Sequence, residues 1–299
     1  VQIRGFKLRL PLDIQFVFTA NPEDYTNRGA IITPLKDRIQ SQILTHYPSS
    51  IELGMKITSQ EVRSPKEQTM RVKVPDLIRV LVERIAMEAR KSEFVDPKSG
   101  VSARLTISAL ESVISAAELR ALRNGEDRTV ARITDLFAII PAVTGKIELV
   151  YEGEQEGPEK VAQHLLDVAL RNVFKELFPD PDKSRKLGRS ATAPNATKRD
   201  IYSDIIAWFD ENRIDIALTA RNQVYQAGLR NVPGLDRLVQ ERHPYLEADE
   251  VPLWMEFVLH GLAEFSRIGR SSMVRSVKFG DVLGSVLGGG VDEEEEDEG

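Results

Sequence analysis

The chain has 299 residues, 41% hydrophobic, 29% charged and 6% aromatic, a composition that suits a folded protein of about two domains and excludes collagenous, low-complexity and membrane-spanning classes. It has no cysteine and four scattered histidines, so disulfides, thiolate zinc sites and cysteine nucleophiles are excluded and a structural metal is not expected. The net charge is −6, and without the seven acidic residues of the run 292–298 it would be +1; so balanced a body offers no broad basic field, and no nucleic-acid partner is expected.

No window approaches 18 consecutive apolar residues, and Arg4, Lys7 and Arg9 interrupt the opening stretch. Neither a transmembrane span nor a signal peptide is expected, which implies a cytoplasmic location. The chain opens on Val1 without an initiator Met, in the middle of what reads as a hairpin, so a fragment of a longer protein is expected.

Residues 14–20 are a short apolar, β-branched and aromatic run closed by Asn21-Pro22, which predicts a buried parallel strand leading into a loop. A proline at the first helical position predicts a short helix from Pro34, and residues 41–46 read as a second strand. Two strands make no open α/β sheet, so the others are expected from sequence outside these residues or from a partner chain.

From residue 50 to about 178 the pattern is helical. Leu77, Ile78, Leu81, Val82, Ile85 and Ala89 recur at three- and four-residue spacing after Pro75, as do Leu110, Val113, Ile114 and Ala117, and Val161, Leu165, Leu166, Ala169, Val173 and Phe174 after Gly157-Pro158. Residues 129–140 read as a further helix, and 146–151 is too short to assign. A linker at 180–200 follows, rich in proline and Lys/Arg. Residues 201–282 read as an all-α domain, clearest at 251–267 with Trp254, Phe257, Val258, Leu262 and Phe265 on one side. The glycine-rich, acidic end 283–299 is expected to be a disordered tail.

The loop after the first strand concentrates polar groups. Asn21 at the strand end offers an amide donor and acceptor that would orient a water or a phosphate oxygen, although Asn-Pro also simply favours a turn. Arg38 sits on the short helix beyond it, and a guanidinium suits spread phosphoryl charge. In this order the stretches Phe18-Thr-Ala-Asn-Pro-Glu23 and Leu35-Lys-Asp-Arg-Ile39 resemble the sensor 1 and arginine-finger segments of AAA+ ATPases, in the branch of MoxR-like ATPases and the magnesium chelatase ATPase subunit. Gly100-Val-Ser-Ala-Arg104 is similar to that branch's sensor 2 segment, which opens a lid helix.

The resemblance covers about residues 1–178. It implies a mainly α chain: a C-terminal remnant of the α/β AAA+ core with two strands (1–64), a helical lid (65–179), the linker, and the all-α region. It implies ATP and Mg²⁺ as cofactors of the intact protein, with Asn21 and Arg104 serving the ATP of the same subunit and Arg38 that of its neighbour. A homo-oligomeric, hexameric ring and a partner bearing a von Willebrand factor A domain follow from the same resemblance. These 299 residues contain no P-loop: Gly145-Lys146 has Ile140 in place of the first glycine and Ile147 in place of the hydroxyl. Asp210 and Glu211 imitate a Walker B pair but follow sensor 1 in the chain and read as surface residues. Walker A and B are therefore expected ahead of Val1, and no ATPase activity is expected of this chain alone. The alternative reading is a non-catalytic assembly or interaction module built from a lid and a helical tail.

Overall fold

The computed structural model describes residues 2–3, 6–7, 13–19, 34, 37–183, 200–273 and 275–282, and the chain falls into two compact units, Val1–His46 and Tyr47–Gly299. In the first unit β1 (Gln2–Ile3) pairs antiparallel with β2 (Phe6–Lys7). The two strands expected at 14–20 and 41–46 are not formed: residues 13–19 and 41–46 carry no regular secondary structure. Phe16 and Val17 are 72% and 82% exposed and Ile43 is 89% exposed. The physical reason is that an apolar strand with two hydrophobic faces needs hydrogen-bonded neighbours and a cover, and none pairs with either stretch among the described residues. Pro34 is helical, as expected, and residues 37–38 form a turn.

The second unit is mainly helical. Helix α1 (Ile51–Glu61) starts at Ser50, whose Oγ accepts from Leu53 N at 3.2 Å, and it packs on two long helices. Helix α2 (Lys66–Arg71) runs into β3 (Val72–Lys73), and Pro75 then opens α3 (Asp76–Ala89). Helix α4 (Leu105–Asn124) ends at Gly125, whose φ of 66° supplies the left-handed stop. The periodic residues of α3 and α4 are buried as their spacing predicts.

The helix expected over 129–140 breaks into three pieces. Residues Thr129–Val130 form β4, parallel to β3; Thr134–Ile139 form a 3₁₀ turn, and α5 (Ile140–Thr144) follows. Pro141 has no N–H to carry a continuous helix through this point and instead occupies the first turn of α5. Residues 146–151 make two isolated antiparallel bridges, Val95↔Leu149 and Val101↔Ile147, before α6 (Tyr151–Glu156) and α7 (Pro158–Leu177).

Beyond residue 200 lie α8 (Ser203–Phe209), β5 (Ile214–Ala217), α9 (Asn222–Arg230), α10 (Leu235–Arg242), α11 (Val251–Glu264), β6 (Gly269–Met273) and β7 (Ser276–Gly280). The expectation of an all-α region is corrected here, because β5, β7 and β6 form an antiparallel sheet in that order. Ile214, Ile216, Val277 and Phe279 alternate inward, but each run is only four or five residues long and interleaved with charge, so its period is visible only once the strands pair.

Helix α7 packs on both α3 and α11. Phe174 joins the two sides, its ring 5.9 Å from Phe257 and 6.0 Å from Phe265. The stretches read as lid and C-terminal region thus lie in one unit, and α1, grouped with residues 1–64 in the sequence reading, belongs to it too. The linker from 184 to 199 and the tail from 283 lie outside the described residues. Among the described residues no helix is long and apolar enough to cross a membrane.

Candidate functional site

Arg104 occupies the residue just before α4 and is exposed. The approach to it is tightly built. Asp96 accepts from Lys98 N at 2.9 Å, and Gly100 turns the chain at φ 68°. Ser102 N donates to the Lys146 carbonyl at 3.1 Å, and Ser102 Oγ accepts from Arg104 N at 3.3 Å. Tyr47 Oη braces the segment by donating to the Val101 carbonyl at 2.7 Å and accepting from Val101 N at 3.0 Å, with Arg90 stacked 3.9 Å above its ring. Beneath, burial pushes the Glu83 carboxyl up, and Thr58 Oγ1 donates to it. The Arg104 guanidinium is left without a hydrogen-bond or ion-pair partner among the described residues. Such a group, at the positive end of a 20-residue helix, is suited to meet an anion.

Arg38 lies exposed in a turn of the first unit, and Asn21 lies outside the described residues. Gly145 ends α5 instead of opening a helix, the reverse of what a phosphate-cradling Gly-Lys requires. Asp210 and Glu211 are exposed just past α8, as their position in the chain suggested. Trp254, Phe257 and Phe265 belong to the core. Among the described residues one trio of carboxylates comes together, Glu247, Asp249 and Glu250, but Lys73 Nζ sits 2.7 to 2.8 Å from each, so an ammonium fills the place of a metal.

Sequence reading missed a buried polar network. Arg120, 2% exposed, donates to both oxygens of Asp135 at 3.2 and 2.8 Å and to Thr129 Oγ1 at 2.8 Å. Arg132, 1% exposed, donates to the Ala220 carbonyl at 2.9 Å and to Asn222 Oδ1 at 2.6 Å, and lies 4.0 Å over the Tyr225 ring. Glu256 accepts from Ile133 N at 3.0 Å, Thr134 N at 3.1 Å and Tyr225 Oη at 2.7 Å. Desolvation raises its carboxyl to about 7 against the pull of Tyr225 and Arg132. A signal existed: Arg120 falls on the same stripe as Val113 and Ala117, and Glu256 and His260 stand four apart inside the most apolar helix.

No protein-family model, no curated protein and no solved structure matches the chain.

Proposed function

We propose that the chain is the sensor and lid part of a ring-forming AAA+ ATPase of the MoxR-like and magnesium chelatase branch, coupling ATP hydrolysis to remodelling of a partner protein. The observation that carries this reading is Arg104, exposed and without a partner among the described residues, at the start of a long helix whose other side is buried. Closure of a lid could bring such a residue onto a γ-phosphate. The order Asn21, Arg38, Arg104 along the chain supports the same reading.

ATP and Mg²⁺ would be held chiefly by a P-loop and a Walker B pair, which these 299 residues do not contain and which the intact protein would carry ahead of Val1. The nucleotide supplies the phosphoryl group; this chain's residues would position and neutralise. Asn21 would orient the attacking water, Arg104 would hold the γ-phosphate of its own subunit, and Arg38 would neutralise developing charge in the neighbour's site. On this reading the ring is hexameric and cytoplasmic and engages a von Willebrand factor A domain.

The test is made on the native protein, purified from its own cells. The expected protein is well above 33.5 kDa and hydrolyses ATP. Arg38→Ala lowers turnover by about 10³-fold or more while nucleotide binding persists, and Arg104→Ala weakens both. A native protein of 33.5 kDa without ATPase activity, or both variants at wild-type turnover, overturns the proposal; the first outcome favours the assembly module.

A further inference from the structure

A cleft of about 410 Å³ lies where β3 and β4 meet α9 and the first turn of α11, a size typical of small-molecule sites. Four cationic side chains line it: Arg71, Lys73, Arg128 and Arg132. The anionic lining residue is Asp249, and it is held with Glu247 and Glu250 on Lys73 Nζ. Lys73 is therefore neutralised, whereas none of the three arginines makes an ion pair among the described residues.

Arg128 is exposed at the rim. Arg71 and Arg132 each have an Nε–H that is buried and finds no acceptor among the described residues. The terminal nitrogens of Arg132 are bound to neutral acceptors, the Ala220 carbonyl and the Asn222 amide oxygen, and it makes no ion pair among the described residues. The nearby Asp135 is occupied by both forks of Arg120, and Glu256 is occupied by two amides and a phenol. A desolvated guanidinium with an orphan donor, attracted by Asp135 and Glu256 but paired with neither, is costly unless a further acceptor reaches it.

We infer that this cleft binds a small phosphorylated organic molecule, its phosphate among Arg71, Arg128 and Arg132 and its body against Met70, Tyr225 and Leu253. The guanidinium groups of Arg71 and Arg128, with the remaining Nε–H of Arg132, match a doubly charged head with three acceptor oxygens better than a single carboxylate. The apolar side chains at the same opening favour an organic body over a free ion. The inference stands apart from the nucleotide reading, since none of these residues belongs to the sensor or finger segments.

The experiment is calorimetric titration of the full chain at low ionic strength with ribose 5-phosphate, inorganic phosphate, citrate and a poly-glutamate peptide. Loss of binding in the cleft variants separates this site from any nucleotide phosphate site. Ribose 5-phosphate is expected to bind more tightly than inorganic phosphate and at least about tenfold more tightly than citrate. Arg71→Ala and Arg128→Ala should each weaken it about tenfold or more, while Arg123→Ala, outside the cleft, leaves it unchanged. Both cleft variants remove partly or fully exposed side chains, and their far-UV spectra are checked against wild type. Absence of binding, wild-type affinity in both cleft variants, or citrate binding as tightly as the phosphate ester overturns the inference. So does capture of poly-glutamate alone, which would assign the cleft to an acidic protein surface.

Discussion

Glu256 has its carboxyl fully buried and raised to about 7, first by desolvation. In the folded state it therefore binds its proton over a range where the unfolded chain has already lost it. The stability it contributes is full below about pH 4.5 and is lost as pH rises towards 7. Buried His260 has the opposite sign: desolvation and then Arg270 hold its pKa well below 6.5, so its contribution is lost as pH falls below that value. The two are 3.9 Å apart, His260 Nε2 to Glu256 Oε1, so a Glu256 variant reports Glu256 together with its effect on His260. Glu256→Gln should gain stability relative to wild type as pH rises from 5 to 8, by something on the order of 3 kcal/mol, read from urea midpoints at each pH. A pH-independent difference between the two proteins would show that Glu256 stays ionised throughout. At this scale Arg104 and Arg38 could be singled out from their neighbours in the chain. Arg132 could not, because its role depends on partners about 90 residues away.

At the scale of elements, the contact between α7 and α11 depends on one missing side chain. A Cβ on Gly261 would lie 2.0 Å from Phe174 Cδ2, and Phe174 is fully buried among Phe178, Phe257 and Phe265. Alanine is the better helix former by about 1 kcal/mol, yet the ring has nowhere to move. Gly261→Ala is expected to destabilise by about 1–3 kcal/mol net, measured as a lower urea midpoint with unchanged slope. Equal or greater stability would mean that the two helices can separate without loss. The helices themselves were legible, since α3, α4, α7 and α11 each carry a recurrent apolar stripe. The short strands β3 to β7 were not, because two to five residues carry no period until a partner sets their register.

At the scale of the molecule, residues read as separate lid and tail fill one core. The Arg120–Asp135 pair, Arg132 and Glu256 bridge α4, α9 and α11 from within it. One cooperative transition is therefore expected for this unit. Fluorescence from Trp208 and Trp254, both beyond residue 200, should report the same urea midpoint as far-UV ellipticity, which averages over all the helices. Separate midpoints would restore two independent domains.

The linear order of residues was enough to determine the helical character of the second unit and the helix starts after Pro75 and at Gly157-Pro158. Each of those is a local property, set by spacing within a few turns or by the conformational limits of one residue. The antiparallel sheet, the shared core and the arginine-lined cleft were decided only by tertiary structure. Apart from the β6–β7 hairpin they bring together residues distant in the chain, such as Ile214 with Phe279, and the burial that gives Arg132, Glu256 and Gly261 their significance exists only after those distant segments have packed.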